Sequence, residues 1–238
     1  MSQADAEGRT PSDPGAGVAG DGPTTPPMRI SHAVMGPTVL WWLRATVTGT
    51  GQVPSSGGAL LAANHRSFLD HFAMGAASPR PMRFFGKASL AEGLSGRYNV
   101  AMGMIPVERG SADLSALDVA VTLLRAGALI GIFPEGTRST DGRLYRFRSG
   151  MARMAAAADV PIVPVGMTGM AEVWPRGQAR PSMQRPRRGV VGVHFGEAVH
   201  LPDDSPRSRR QATAAVHQQV ASLCGQPLAD GFAEIPDS

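Results

Sequence analysis

The sequence predicts an α/β fold: a single domain with a mixed sheet of about seven strands covered by helices, preceded by an N-terminal membrane-associated helical segment. Three observations predict it. Short apolar runs alternate with amphipathic segments along most of the chain, which is how strands and their covering helices are written. At 238 residues the chain is long enough for one sizeable core, and its length requires no second domain. The apolar pattern begins abruptly at Met28 and fades near Gly225, which bounds the core-forming region on both sides.

In chain order, residues 1–27 hold Asp5, Glu7, Asp13 and Asp21 against Arg9, with almost nothing large and apolar. Such a segment cannot offset the entropy of ordering it and is expected to be a disordered tail. From Met28 the composition turns apolar in MRISHAVMGPTVLWWLRATV, which Gly36-Pro37 interrupts. Residues 28–44 read as two short helical pieces, well below the roughly 18 apolar residues of a spanning helix. With Trp41 beside Trp42 this segment suits a membrane interface, and it suits equally a helix packed on the core.

The domain itself is expected over 45–225. Strands are expected at 45–49, 58–63, 82–86, 103–107, 128–133, 161–166 and 190–195, and helices at 67–77, 88–98, 112–126, 149–158 and 206–223. The helix from Ala112 has the clearest limits: Ser111 as N-cap, Asp113 in its first turn and Gly127 after its end. Leu114, Leu117, Val121 and Leu124 recur at spacings of three and four, so that face packs on the sheet. Pro161 and Pro164 in VPIVPVGM argue for an edge or irregular strand lining a site. Residues 226–238, acidic and without a basic residue, read as a flexible tail.

The whole chain carries a net charge of +4 and each end, 1–27 and 226–238, carries −3, which leaves +10 on the part between them. An anionic partner fits: a phosphorylated small molecule, an anionic membrane surface or nucleic acid. Cys224 is the single cysteine, which excludes an intrachain disulfide and a thiolate zinc cluster and suits a reducing compartment. No basic stretch followed by an apolar core opens the chain, so no signal peptide is expected and the cytosolic side is the expected location.

Four blocks carry chemistry. In ANHRSFLDHF, His65 and Asp70 follow an apolar strand. Ser67 and Asp70 have the spacing of a capping box, which by itself accounts for the aspartate. The alternative is a base and its orienting carboxylate. Continuous helix would hold the two about 140° apart, so they meet only if the chain bends before the helix begins. In IFPEGTRS a strand ends in Glu135, Gly136, Thr137 and Arg138, a turn suited to holding a phosphate or simply a turn with a surface arginine. GMIPVERGS runs from a strand into Glu108 and Arg109, and VPIVPVGM is the fourth block.

Together and in this order, over roughly residues 45–200, the four blocks resemble the glycerolipid acyltransferase family, of which 1-acylglycerol-3-phosphate acyltransferases are the best-known type. The resemblance implies that His65 and Asp70 are the catalytic pair. It also implies that Arg109, Glu135, Gly136, Thr137 and Arg138 bind the substrate, with the two arginines on its phosphate and Glu135 ordering the turn. Gly103 and Pro164 fall where that family's second and fourth blocks have a glycine and a proline. The implied reaction moves a fatty acyl group from acyl-CoA or acyl carrier protein to the sn-2 hydroxyl of lysophosphatidic acid, giving phosphatidic acid. Another lysolipid or glycerol-3-phosphate as acceptor, or an inert membrane-surface binding protein, are the alternatives. No metal or redox cofactor is implied; the partners are a lysophospholipid, an acyl thioester and the cytoplasmic face of a membrane, held peripherally or monotopically.

Other patterns carry less. GAGVAG at 15–20 has dinucleotide-loop spacing but follows no strand. No nucleophile-elbow serine and no His-Glu-x-x-His occurs. His32, His194, His200 and His217 lack a matching acid motif, and His71 stands outside the family pattern. Arg176, Arg180, Arg185, Arg187 and Arg188 form a basic loop, read as solvated or as drawn to anionic headgroups. Nucleic acid is not an expected partner, because Trp174 is the only stacking residue nearby.

Overall fold

The computed structural model describes residues 24–107 and 114–234. Its first element, α1 (Pro26–Leu43), is one continuous helix, where two pieces about Gly36-Pro37 were expected. Thr25 caps it through Oγ1, which accepts from the Met28 N–H at 3.3 Å, and proline occupies the first turn, where no N–H is needed. Pro37 removes one backbone bond, yet the helix persists because it packs on both sides of the proline. Met28, Gly36 and Leu43 are buried, and a Cβ on Gly36 would lie only 3.6 Å from the Ala76 carbonyl oxygen. Ile30, Val34 and Trp41 project outward, while Trp42 packs against the core.

The strands are β1 (Thr46–Thr48), β2 (Ala59–Ala63), β3 (Met82–Lys87), β4 (Met104–Val107), β5 (Leu129–Ile132), β6 (Ile162–Thr168) and β7 (Gly192–Phe195). They form the mixed sheet of seven strands that the sequence predicts, in the order β1-β7-β6-β2-β5-β3-β4. Every neighbouring pair is parallel except β6 with β7. The helices that follow α1 are α2 (Asp70–Ala77), α3 (Gly93–Ala101), α4 (Leu114–Arg125), α5 (Gly150–Ala158), α6 (Met170–Val173) and α7 (Pro206–Cys224).

Alternation along β2 sorts the core into two layers. Leu61 and Ala63 face Leu43 of α1 and Ala73, Met74 and Ala77 of α2. Leu60 and Ala62 face Leu124 of α4, Met151 and Ala155 of α5, and Val216 and Val220 of α7. Leu117 and Val121 pack against this second layer, so the periodicity of α4 places its face correctly. Every residue of β2 is buried, which makes it the natural support for whatever follows it.

Three further expectations change. β6 is interior, between β7 and β2, and its prolines are accommodated by position. Pro161 lies just before the strand; Pro164 sits where pairing with β7 slips between Ile162 opposite Val199 and Val165 opposite Phe195. Two residues there oppose three, so no ladder bond is wanted from the missing N–H. The helix expected at 88–98 divides into a 3-10 turn (Ala88–Ala91) and α3, because Gly93 at φ 67° bends the chain between them. The tail beyond Gly225 is pinned as far as residue 234: Leu144 N–H donates to Pro227 O, Ala229 N–H to Leu144 O, and Arg146 N–H to Gly231 O. Arg109, Ser111 and Asp113 lie outside the described residues, as do residues 1–23 of the expected N-terminal tail.

Candidate active site

His65 and Asp70 meet. The chain leaves β2 at Ala63, turns through residues 64–69, and enters α2 at Asp70 itself, so the required bend precedes the helix. His65 Nδ1 and Asp70 Oδ2 are 2.8 Å apart, with the His65 side chain 18% exposed and that of Asp70 1%. Oδ2 also accepts the backbone N–H groups of Arg66 at 2.6 Å and Ser67 at 2.8 Å. A carboxylate accepting at Nδ1 fixes the imidazole tautomer and leaves Nε2 as the nitrogen that takes a proton. The capping reading is half realised. Asp70 accepts from Ser67 N–H as the acid of a capping box does, but Ser67 Oγ donates to the Trp174 carbonyl at 2.8 Å.

The FPEGTRS block holds the histidine's main chain on both sides. Glu135 Oε1 accepts His65 N–H at 2.8 Å, and Ser139 N–H donates to His65 O at 2.8 Å. The Phe133 ring stacks on the imidazole at 3.9 Å between centroids and 14° between planes. Gly136 closes a turn from Phe133, its N–H donating to Phe133 O at 3.0 Å, and adopts φ 82°, where a side chain would be strained. Thr137 and Arg138 follow, both half-buried, and Arg176 Nη1 donates to the Arg138 carbonyl at 2.6 Å. The turn therefore stands beside His65, with Glu135 as the joint between the two blocks.

Glu135 is completely buried. Burial is the main cause that pushes its carboxyl up to about 7; the Tyr145 and His65 N–H bonds pull it down, and Asp70 pushes it further up. A raised folded-state value means that this group's contribution to stability is fully present below its unfolded value near 4.5. That contribution is lost as pH rises through about 7. Wild-type thermal stability should fall over that window, and Glu135→Gln should flatten the dependence. The amide would also set an NH2 against one of the two backbone donors, so Glu135→Gln should be destabilised by about 1–3 kcal/mol. Melting curves between pH 4 and 8 check both; a parallel pH dependence in the two proteins would contradict the assignment.

Several residues at this site are given no role by the sequence. Asn64 staples the end of β2 to β6, donating from Nδ2 to Met167 O at 2.9 Å and accepting Met167 N–H at Oδ1 at 2.7 Å. Behind Asp70 lies a cavity of about 210 Å³ lined by Asn64, Arg66, Thr168, Glu172 and Gln226. His71 is half-buried, its ring against Phe68, Phe72 and Phe84, and desolvation first, then His65, push its imidazole down to about 3, so it stays neutral. The remaining histidines named from the sequence serve the scaffold where their partners are seen: His32 contacts Ser78 O, His194 contacts Thr48 Oγ1, and His217 contacts Tyr145 O. The basic loop is tied at two points, by Arg176 and by Arg185, whose guanidinium lies 4.1 Å from the Trp41 ring centroid. Arg180, Arg187 and Arg188 are exposed. Among the described residues no cluster of His, Cys, Asp or Glu could hold a metal ion.

A histidine and carboxylate at the end of a central strand, with a glycine turn beside them, belong to a chain whose residues 44–168 match the acyltransferase family. This protein is a member of that family. It is 32% identical over 138 residues to a chloroplastic 1-acyl-sn-glycerol-3-phosphate acyltransferase of Arabidopsis thaliana, a match covering 56% of this chain and 38% of that one. To the alpha form of 1-acyl-sn-glycerol-3-phosphate acyltransferase from Mus musculus it is 30% identical over 199 residues, covering 77% of this chain and 67% of that one. This chain thus spans well under two thirds of the Arabidopsis relative. The crystal structure of the 1-acyl-sn-glycerophosphate acyltransferase PlsC from Thermotoga maritima shares the fold, with a TM-score of 0.66 at 23% identity over 82% of this chain and 79% of that one.

Proposed function

We propose that this protein transfers a fatty acyl group from an acyl thioester, acyl-CoA or acyl carrier protein, to the sn-2 hydroxyl of lysophosphatidic acid, giving phosphatidic acid. The observation that carries this reading is the 2.8 Å His65–Asp70 contact placed beside the FPEGTRS turn. His65 Nε2 takes the hydroxyl proton as that oxygen attacks the thioester carbonyl. The new C–O bond forms, the C–S bond breaks, and His65 returns the proton to the departing thiolate. Asp70 stabilises the imidazolium formed between those events. Arg138 and Arg109, with Gly136 and Thr137, receive the acceptor's phosphate. The relatives named for this reaction support the choice of acceptor.

A lysolipid and a long acyl chain both need apolar surface. An apolar groove of about 430 Å³ opens between α1 and α2 beside Leu69, lined by Val39, Trp42, Leu43 and Phe72. No described helix is long and apolar enough to cross a membrane. The outward side chains Ile30, Val34 and Trp41, with the exposed arginines of the 174–190 loop, suit docking on an anionic bilayer surface, on its cytoplasmic face.

Purified protein, labelled acyl-CoA or acyl carrier protein, and vesicles carrying one lyso-acceptor at a time test the proposal. Turnover is expected to be highest with lysophosphatidic acid and to fall when the phosphate monoester is absent. Arg138→Ala should raise KM for the phosphorylated acceptor about tenfold or more with little change for the donor, since it removes a charge-assisted contact. Vesicle binding without turnover on any acceptor would favour the inert surface-binding protein.

A further inference from the structure

α7 ends at Cys224, and Gly225 at φ 65° turns the chain back toward the sheet. The residues that follow form a strap along segment 142–148. Leu144 and Leu228 make a parallel bridge, and Arg148 reaches the strap twice, donating from Nη2 to Ala233 O at 3.1 Å and lying over the Phe232 ring. The strap itself, after Gly225, lies beyond the family match at 44–168, while the segment it runs along lies within that match. The strap nevertheless touches the supports of His65 by two routes.

The first route is a side-chain chain. Gln226 Oε1 accepts from Asn64 Nδ2 at 2.6 Å, and Gln226 Nε2 donates to the Gly142 carbonyl at 2.8 Å. Asn64 directly precedes His65, and with Oδ1 on Met167 N–H and Nδ2 donating to both Met167 O and Gln226 both of its donor hydrogens are used. The second route is through backbone. The strap accepts the N–H groups of Leu144 and Arg146, the residues on either side of Tyr145. Tyr145 N–H is in turn held by Glu135 Oε2 at 2.9 Å, whose other oxygen holds His65 N–H.

We infer that the strap after α7 is part of the catalytic scaffold and that Gln226 is a positioning residue, acting on His65 through Asn64. This rests on the proposed role of His65 as general base. Gln226 does not itself line up with the reacting atoms: its two bonds go to Asn64 and to a backbone carbonyl. Its effect is therefore on the placement of the base against the hydroxyl, a quantity to which rate is sensitive and ground-state binding is not.

The test measures kcat and KM for both substrates, with melting curves, in Gln226→Leu, Gln226→Glu, Asn64→Ser and the Asn64→Ser/Gln226→Leu pair, with His65→Ala as the reference. Leucine removes both bonds; glutamate keeps an acceptor for Asn64 Nδ2 but replaces the donor to Gly142 with a carboxylate oxygen facing that carbonyl. We expect kcat about tenfold lower in Gln226→Leu, an intermediate loss in Gln226→Glu, and KM for either substrate within about twofold of wild type. In the Asn64→Ser background Gln226→Leu should add less than it does in wild type, because the contact the two residues share is already gone and only the bond to Gly142 remains to be lost. If Gln226→Leu fails to fold, the glutamate variant carries the same comparison. A folded Gln226→Leu protein with wild-type kcat, whether or not its Tm is lower, would overturn this inference and leave the general-base reading standing, provided His65→Ala is inactive. Near-normal turnover in His65→Ala would remove the reading on which the inference rests.

Discussion

His65→Ala is expected to lower kcat for acyl transfer by about 10²- to 10⁴-fold while leaving the fold intact. The rate loss follows from position: Nδ1 is committed to Asp70, so Nε2 is the proton acceptor, and alanine supplies none. The fold survives because the main-chain bonds of residue 65, to Glu135 Oε1 and from Ser139 N–H, do not depend on its side chain. Asp70 keeps two of its three donors, Arg66 N–H and Ser67 N–H, so the turn that leads into α2 stays held. What is lost is the stacking on Phe133, about 1 kcal/mol, and one of the three hydrogen bonds to Asp70 Oδ2, about 1.5–3 kcal/mol. Steady-state turnover beside a thermal melt separates the two effects. A folded His65→Ala protein turning over at near wild-type rate would mean that another group takes the proton.

The route from sequence to site was unequal in its legibility, for physical reasons. Most of the seven strands were readable because they are short apolar runs bounded by turn residues, and the α4 face because its leucines and valine keep helical spacing. His65 and Asp70 were readable as a pair because both lie in one short turn. α1 was misread because a Gly-Pro step is a local breaker, whereas its continuity comes from packing on α2 on both sides of that step. For β6 the irregular alternative holds and the edge alternative fails, because a proline's cost depends on whether its neighbour wants a bond there, and the slipped pairing with β7 lies about thirty residues away. The joint formed by Glu135 was only half visible: a motif shows the acid, but not that its two oxygens hold the N–H groups of His65 and Tyr145. Gln226 gave no signal at all, since its partners Asn64 and Gly142 are 162 and 84 residues distant.

Asp70→Asn is expected to lower kcat by about 10²-fold with KM nearly unchanged and the melting temperature within a few degrees of wild type. The asparagine carbonyl can stand where Oδ2 stands and accept the same three N–H groups, from His65 Nδ1, Arg66 and Ser67. Its NH2 then falls where Oδ1 lies, an atom with no protein partner among the described residues, beside a cavity that Asn64, Thr168 and Gln226 also line. Geometry is kept and charge is removed. In the ground state this changes little, because a neutral imidazole donates to an amide oxygen almost as it does to a carboxylate. When His65 holds the substrate's proton, the half-buried imidazolium has lost its counter-charge, and hydrogen bonds to charged groups are worth about 1.5–3 kcal/mol, or about 10- to 10²-fold in rate. Asp70→Ala separates charge from structure. It leaves Arg66 N–H and Ser67 N–H without their acceptor, so it should also cost about 1–3 kcal/mol of stability as the first turn of α2 loosens. An Asp70→Asn protein with wild-type kcat would show that the carboxylate acts as a cap alone, the reading that the Ser67–Asp70 spacing first allows.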